Sequence, residues 1–211
     1  MEGMREYPDK YFDLAVVDPP YGGVKQGGYM NNTGSGKLAA PSFYENTNLW
    51  KQKKPGKEYF DELFRVSKDQ IIFGWNNYPV EIGRDTQSFI VWDKKHPEGI
   101  TFSDCEIAWT SHDRAAKIFR YRWNGMLQED MKHKEVRVHP TQKPVKLYEW
   151  IFANYAKPGM KILDTHLGSG SSRIAAYNAD LDFVGFEIDP GYFAAQEKRW
   201  EEVTQQIRII L

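Results

Sequence analysis

The apolar run Leu14-Ala15-Val16-Val17 stops abruptly, and this stop constrains the fold more than any other feature of the chain. A run of four apolar residues is typical of a buried strand. Asp18 follows it, and then come Pro19 and Pro20, which have no N–H groups with which to continue a ladder. The sequence therefore predicts a buried strand with a carboxylate at its carboxyl end, its backbone restricted by the proline that follows.

A second stretch, residues 161–176, repeats this arrangement with glycine in place of proline. Its apolar start predicts a strand that ends at Asp164, and a turn containing Gly168, Ser169 and Gly170 leads into a predicted helix. Glycine lets the backbone approach a ligand closely, and the free N–H groups of a helix N-terminus favour an anionic group. The pattern favours a ligand site, with a plain strand-to-helix turn as the alternative.

Glu187 supports the ligand-binding interpretation. It lies seventeen residues after Gly170, at the end of the next apolar run, where an acid can accept two hydrogen bonds from a ribose diol. A solvated acid at a strand end is the alternative. Arg173 occupies the position of a third glycine, which disfavours a nicotinamide-dependent oxidoreductase. No Gly-Lys-Ser/Thr follows the turn, which excludes a P-loop.

Apolar runs that favour strands alternate along the chain with segments that have helical spacing. The predicted strands include residues 70–75, 88–93, 105–111, 116–123 and 182–189, and the predicted helices are 58–67, 144–156, 173–179 and 191–206. This alternation predicts an α/β fold in which helices cover both faces of a mostly parallel sheet. The 211 residues fit a single domain, 1–211, with a loop insertion at 22–57 that begins rich in Gly, Asn and Ser.

Charge is unevenly distributed, although the net charge is only −1. Residues 112–146 contain nine Lys/Arg against four Asp/Glu, with aromatic residues between the arginines of 119–123. Such a pattern favours a phosphate-binding surface, and ordinary solvated charge is the alternative. We therefore take residues 112–146 as the first candidate for such a surface and the lysine cluster at 51–57 as the second.

Cys105 is the only cysteine of the chain, so no disulfide can form within it. This suits a reducing compartment. No apolar run reaches the ~20 residues that a membrane span requires, and the polar N-terminus lacks an apolar signal segment. We expect a cytoplasmic protein with no membrane association.

Four motifs together resemble the S-adenosylmethionine-dependent amino-group DNA methyltransferases. They are DPPY at 18–21, HPTQKP at 139–144, LDTHLGSGSS at 163–172 and GFEID at 185–189. The catalytic motif precedes the cofactor motif, as in the β class of that family. The resemblance implies a three-layer Rossmann-like fold with a circularly permuted motif order, and a short target-recognition region at 112–138. In this sequence Thr165 and His166 stand where the family usually has Pro and Phe.

The resemblance also implies the site residues. The catalytic set is Asp18, Pro19, Pro20 and Tyr21, and the cofactor-binding set is Asp164, His166, Gly168, Ser169, Gly170, Glu187, Thr141 and Lys143. Thr141 and Lys143 are expected at the methionine end of S-adenosylmethionine. His139 either contacts the donor as well or caps its own turn. The expected chemistry requires no metal and no covalent nucleophile, so Cys105 is interpreted as a packing residue.

An exocyclic amine is a poor nucleophile because its lone pair is conjugated with the base. Asp18 and the carbonyl of Pro19 are expected to accept its two hydrogens, which favours a pyramidal nitrogen, while Tyr21 stacks on a flipped base. The expected reaction is methyl transfer to the exocyclic amine of adenine in double-stranded DNA. The alternatives are the cytosine amine, an RNA substrate, and a degenerate module that binds donor or DNA without turnover.

Overall fold

The computed structural model describes residues 1–21, 54–98, 103–124 and 127–210. The strands in these ranges are β1 Phe12–Val17, β2 Ser67–Phe73, β3 Phe89–Asp93, β4 Cys105–Thr110, β5 Lys117–Arg120, β6 Trp123–Asn124, β7 Leu127–Gln128, β8 Lys161–Asp164 and β9 Asp182–Gly185. The α-helices are α1 Glu2–Arg5, α2 Lys57–Val66, α3 Pro79–Ile82, α4 Val145–Tyr155, α5 Ser171–Asn178 and α6 Pro190–Ile210. No helix within these ranges has both the length and the apolarity that a bilayer crossing requires.

Seven of these strands form one sheet in the order β5-β3-β4-β2-β1-β8-β9, and β6 pairs with β7. β1 is parallel to both β2 and β8, β8 is parallel to β9, and β3 is parallel to β5. β4 runs antiparallel to its neighbours β2 and β3. The prediction of a mostly parallel sheet is confirmed.

Helices cover both faces of this sheet, so the central strand β1 is buried on two sides. Leu14 and Val16 pack with residues of α4 and α5, whereas Ala15 and Val17 pack with residues of α1 and α2. Successive side chains of a strand point to opposite faces, and a strand covered on both faces therefore needs a continuous apolar run. The three-layer arrangement expected from the sequence is confirmed.

Parallel pairing brings three strand ends to one edge of the sheet. Val17 pairs with Ile72 of β2, and Ala15 pairs with Leu163 of β8. The residues just beyond β1 therefore lie between the end of β2 and the last residue of β8. Asp18 and Asp164, which are 146 positions apart in the sequence, consequently occupy neighbouring strand ends.

Three predicted boundaries differ in the structure. The predicted strand 116–123 is divided into β5 and β6, because the partner strand β3 ends at Asp93, opposite Arg120. β9 ends at Gly185, which pairs with the last residue of β8, so Glu187 lies two residues beyond the strand. Lys57 is already the first residue of α2, and most of the predicted insertion, residues 22–53, lies outside the described residues.

Candidate functional site

The turn after β8 offers backbone N–H groups at the carboxyl edge of the sheet. Gly168 and Gly170 have φ angles of +52° and +73°, which side-chain-bearing residues rarely adopt. A Cβ on Gly170 would lie 3.0 Å from Oε1 of Gln196, so there is also little room for a side chain. Gly170 is the N-cap of α5, and no side chain of the described residues caps this helix. The first turn of α5 is therefore suited to an acceptor from a ligand.

Asp164 holds this turn against the start of α5. Its Oδ1 accepts the backbone N–H of His166 at 3.0 Å, and its Oδ2 accepts the hydroxyl of Ser172 at 2.6 Å. Burial raises the pKa of Asp164 to about 6, although both hydrogen bonds act to lower it. Asp164 is thus directed into the protein, where it shapes the glycine turn.

Glu187 closes the other side of the turn. Its Oε2 accepts the N–H of Gly168 at 2.8 Å, and its Oε1 accepts the N–H of Asp189 at 2.9 Å. A carboxylate oxygen has two lone pairs, so each oxygen keeps a further acceptor position. The carboxylate is therefore fixed in direction and still able to accept hydroxyl groups.

The 139–144 loop packs against the glycine turn through His139. A Cβ on Gly168 would lie 3.6 Å from Nδ1 of this ring, which covers the glycine. The same Nδ1 accepts the N–H of Thr141 at 3.3 Å and lies 3.1 Å from its hydroxyl, so His139 also caps its own turn. Burial, followed by the charges of Lys143 and Arg137, lowers the pKa of His139 to about 4. The ring is therefore uncharged at neutral pH.

The Thr165-His166 pair forms a hydrogen-bonded group of its own. Oγ1 of Thr165 lies 2.5 Å from the hydroxyl of Tyr59 and 3.0 Å from Nδ1 of His166. Burial, followed by the nearby N-terminal amino group, lowers the pKa of His166 to about 4. One consistent assignment has Tyr59 donating to Thr165 and Thr165 donating to the unprotonated Nδ1. A neutral ring thus occupies the position where the family usually has phenylalanine.

Asp18 lies directly after β1, with both carboxylate oxygens engaged. The hydroxyl of Tyr21 donates to Oδ1 at 2.6 Å, and the Nζ of Lys143 donates to Oδ2. Burial, followed by the charge of Asp18, raises the pKa of Tyr21 well above its ordinary value, so this hydroxyl keeps its proton. The side chain of Asp18 is 17% exposed, so it is not sealed inside the core.

Lys143 contacts Asp18 of the DPPY motif rather than the glycine turn. Its Nζ contacts Asp18 and lies 2.9 Å from Oε2 of Glu106, and its side chain is only 4% exposed. Burial by itself would lower the pKa of Lys143, but the two carboxylates outweigh burial and raise it. A role of Lys143 at the methionine end of the donor stays a prediction, whereas its direct partners in the structure are acids.

Two residues beside the DPPY motif were missed by the sequence analysis. The hydroxyl of the buried Tyr78 donates to the carbonyl of Pro19 at 3.1 Å and also contacts that of Pro20. Gly74 has a φ of +65°, and a Cβ there would lie 2.0 Å from Cε1 of Tyr21. A glycine directly after the apolar run of β2 was a usable signal for the second, but nothing in the sequence marks Tyr78.

Ser169 is held in place from α6. Arg199 donates to the carbonyl of Ser169 at 2.8 Å and to the hydroxyl of Ser171 at 2.9 Å. The same guanidinium pairs with Glu135 at 2.7 Å, and Glu135 also accepts the N–H of Val145 at 3.0 Å. The glycine turn is thus connected to the predicted recognition region by a largely buried ion pair.

The basic stretch 112–146 includes both engaged and exposed side chains. Arg114 donates to the carbonyl of Asn154 at 2.6 Å, and Lys146 pairs with Glu149 at 2.7 Å. Exposed lysines are Lys117, Lys132 and Lys134. Because β5 belongs to the main sheet, the part of this region that lies beyond the sheet is 121–138. A DNA-binding role for the region stays a prediction.

The second basic cluster, 51–57, is only partly described. Lys54 lies 2.9 Å from Glu81, and Lys57 lies 2.5 Å from Asp61. Residues 51–53 lie outside the described ranges. The two described lysines therefore already have acidic partners, and the use of this cluster for DNA stays a prediction.

The cysteine of the chain is not part of the DPPY motif. Cys105 is a free cysteine, partly buried at the start of β4. Across residues 1–21, 54–98, 103–124 and 127–210, no three His, Cys, Asp or Glu side chains are grouped as a metal ion would require.

The sequence matches the family model of the N6/N4 DNA methylases over residues 84–198, more than half of the chain. YubD of Escherichia coli (strain K12), which is described as a methylase, is 30% identical over 97% of this chain and 88% of its own length. The protein therefore belongs to this DNA methylase family. The resemblance to the S-adenosylmethionine-dependent amino-group DNA methyltransferases is confirmed at the level of the family.

Two solved structures share the fold. The M1.HpyAVI complex with S-adenosylmethionine superposes with a TM-score of 0.54 at 22% identity, covering 90% of this chain and 89% of that one. The PvuII DNA methyltransferase, which is cytosine-N4-specific, superposes with a TM-score of 0.57 at 12% identity, covering 92% and 81% of the two chains. At these identities the likeness establishes the architecture.

Proposed function

We propose that this DNA methylase transfers a methyl group from S-adenosylmethionine to the exocyclic amine of adenine in double-stranded DNA. The observation that carries the proposal is that Asp18 and the Gly168–Gly170 turn follow adjacent parallel strands, β1 and β8. Ligands of open α/β sheets bind in the crevice outside the carboxyl ends of the strands. The methyl donor and the reacting amine would thus meet in one crevice.

The residues around the glycine turn fit the donor. When bound, S-adenosylmethionine supplies an electrophilic methyl group carried on a sulfonium. The first turn of α5 offers N–H groups to a carboxylate, and Glu187 keeps acceptor positions for ribose hydroxyls. His139 and His166 are uncharged at neutral pH, since burial lowers the pKa of each to about 4. They therefore add no positive charge that would repel the sulfonium.

The DPPY motif supplies acceptors for the two amine hydrogens. Asp18 offers a carboxylate oxygen, and Pro19 offers a carbonyl whose position is fixed by the hydroxyl of Tyr78. Holding both hydrogens directs the nitrogen lone pair at the methyl group, so the catalysis is mainly positioning. The new N–CH₃ bond would replace the S–CH₃ bond of the donor, whose electron pair stays on sulfur as a neutral thioether. The amine would then lose one proton, and Asp18 is the acceptor that would already be in contact with it.

Base entry requires one exchange at Asp18. In the structure the hydroxyl of Tyr21 occupies Oδ1, the oxygen that Lys143 leaves free. The base amine replaces this hydroxyl, and the released ring is then available to stack on the base. Extrusion of the target base from the duplex is the general route by which enzymes reach base amines.

The choice of adenine rests on the motif. An aspartate at the first position of the DPPY motif is more typical of adenine enzymes in the family that the sequence resembles. The cytosine exocyclic amine is the second candidate, and it is supported by the fold shared with the cytosine-N4-specific PvuII enzyme. Both amines present the same pair of hydrogens to Asp18 and Pro19.

The experiment is a transfer assay with identification of the product. The protein is incubated with methyl-labelled S-adenosylmethionine and mixed-sequence duplex DNA, and the nucleosides are separated after digestion. Label in N6-methyladenine is the expected result, and label in N4-methylcytosine selects the second candidate. Donor binding without label in DNA or RNA would overturn the proposal and leave a binding module.

A further inference from the structure

We infer that Glu106 is a positioning residue for methyl transfer, because it holds the Nζ of Lys143 between two carboxylates and so fixes Asp18 for the base amine. The inference rests on the proposed function. Glu106 belongs to none of the motifs; it is the second residue of β4, the strand that runs antiparallel to its neighbours.

The geometry is a row of four alternating charges. The Nζ of Lys143 contacts Asp18 on one side and lies 2.9 Å from Oε2 of Glu106 on the other. Oε1 of Glu106 lies 2.7 Å from the Nζ of Lys94, whose side chain is 16% exposed. The row runs from Asp18 to Lys94, and Glu106 is the member that joins the two lysines.

Glu106 matters because Lys143 is almost fully buried. A buried charge that loses a partner is strongly unfavourable, so the ammonium stays where both carboxylates can reach it. With Glu106 present, Lys143 is held from two sides and Asp18 has a fixed partner on Oδ2. Without Glu106, the remaining acidic contact of Lys143 among the described residues is Asp18.

The other titratable groups facing this row leave its charge unchanged at neutral pH. They are Tyr21 from the DPPY loop, Tyr59 from α2, Tyr78 just before α3, Tyr148 from α4, His139 from the 139–144 loop and Asp164 at the end of β8. Burial raises the pKa of the four tyrosines, lowers the pKa of His139 to about 4 and raises the pKa of Asp164 to about 6. In the alkaline range Asp164 is therefore already ionised, and the charge balance of the row changes only through its own four members.

This arrangement has a signature in the pH profile of kcat. The charge of Glu106 helps to raise the pKa of Lys143, so removing it allows Lys143 to lose its proton at a lower pH. The alkaline limb of the profile should therefore move to lower pH in Glu106→Gln. A residue that only supported the fold would not move this limb.

The test compares Glu106→Gln with wild type in the same DNA methylation assay. An amide carries no charge and has one acceptor oxygen, so the ion pair with Lys143 is lost and kcat should fall roughly 10- to 100-fold, as expected when a buried charge loses one of its partners. The KM for DNA and the Kd for S-adenosylmethionine should stay within about threefold. Glu149→Gln, which removes an acid paired with Lys146 at 2.7 Å on the surface, is the matched control and should behave as wild type.

Two further variants distinguish the proposed role of Glu106 from a general folding defect. Glu106→Asp keeps the charge and should recover part of kcat and the wild-type alkaline limb, and it replaces Glu106→Gln if that variant does not fold. In the Lys143→Met background, Glu106→Gln should cause little additional loss, because Glu106 acts through Lys143.

The inference is overturned if folded Glu106→Gln has the kcat and alkaline limb of wild type, or if its loss is equally large without Lys143. A wild-type protein that labels no nucleic acid would overturn the proposed function and, with it, this inference. The result with wild-type protein therefore distinguishes failure of the proposed function from failure of the role assigned to Glu106.

Discussion

The hydroxyl of Tyr78 donates to the main-chain carbonyl of Pro19 at 3.1 Å, although the two residues are 59 positions apart in the sequence. That carbonyl is one of the two acceptors proposed for the base amine. An acceptor already held in place needs no reorganisation during the reaction, and such preorganisation is a large component of enzymatic catalysis. Tyr78, which no motif identifies, therefore holds the Pro19 carbonyl of the DPPY motif in position.

Tyr78→Phe should lower kcat by about fivefold, because a lost neutral hydrogen bond is worth on the order of 1 kcal/mol. The Kd for S-adenosylmethionine should not change, since the Tyr78 hydroxyl contacts the DPPY motif and not the glycine turn. Steady-state kinetics and donor titration measure the two quantities. The matched control is Tyr155→Phe, which removes a buried hydroxyl that has no hydrogen-bond partner among the described residues. An equal decrease of kcat in Tyr78→Phe and Tyr155→Phe would contradict the role of Tyr78 in positioning the Pro19 carbonyl.

Gly74→Ala should displace the ring of Tyr21, because the added Cβ would lie 2.0 Å from Cε1 of that ring. The displaced ring could then no longer stack on the flipped base, and because base–aromatic stacking is worth about 1–3 kcal/mol, we expect kcat to fall by at least about tenfold. Gly159→Ala is the control: Gly159 has a φ of +76°, and a Cβ there would meet nothing within 4 Å. Both variants carry the same backbone strain, about 1–2 kcal/mol, so an equal effect on kcat would refute the role of the contact.

Gly170→Val should weaken the binding of S-adenosylmethionine. A β-branched residue is strained at a φ of +73°, and its Cβ would crowd Oε1 of Gln196 at 3.0 Å. We expect the affinity for S-adenosylmethionine to fall at least about tenfold, which strain of 1–3 kcal/mol would produce. Isothermal titration of the folded variant measures this. Unchanged affinity would mean that the glycine turn does not hold the donor.

Stability should decrease as the pH falls from about 6.5 towards 4, partly because of His139. Its pKa is about 4 in the folded protein and about 6.5 in the unfolded chain, so the unfolded state binds more protons in this window. The contribution approaches about 2 kcal/mol at pH 5. Asp164 acts in the opposite direction, because its folded pKa of about 6 lies above the unfolded value.

Comparison with His139→Gln isolates this contribution. Urea unfolding at pH 7 and pH 5 should show a smaller loss of stability in the variant than in wild type, since glutamine does not titrate. The effect of Asp164 is present in both proteins and cancels in the comparison. An identical loss in the two proteins would show that His139 is not held neutral by the fold.

The sequence was informative where local chemistry determines structure. An apolar run followed by two prolines defines the end of β1, and a second run followed by glycines defines the end of β8, so Asp18 and Asp164 could be assigned to strand ends. Parallel pairing then brings those ends together. Glu187, by contrast, was expected at a strand end and lies two residues beyond β9, because the partner strand β8 has already ended.

Contacts that depend on strand order could not be derived in this way. Glu106 meets Lys143 because the antiparallel β4 is inserted between β2 and β3, and no local pattern announces that insertion. A glutamate within an otherwise apolar strand was the available signal. For the same reason the sequence did not show that Lys143 contacts Asp18 and Glu106, while its expected place beside the donor stays a prediction.

The central claim is that Asp18 acts on the base amine and not on the methyl donor. The most direct measurement is the single-turnover rate of methyl transfer to DNA by folded Asp18→Ala saturated with S-adenosylmethionine. The single-turnover rate of Asp18→Ala should be reduced roughly 100-fold or more, while its affinity for S-adenosylmethionine should stay within a few-fold of wild type. Transfer at the wild-type rate, or a loss that is explained by failure to bind the donor, would contradict it.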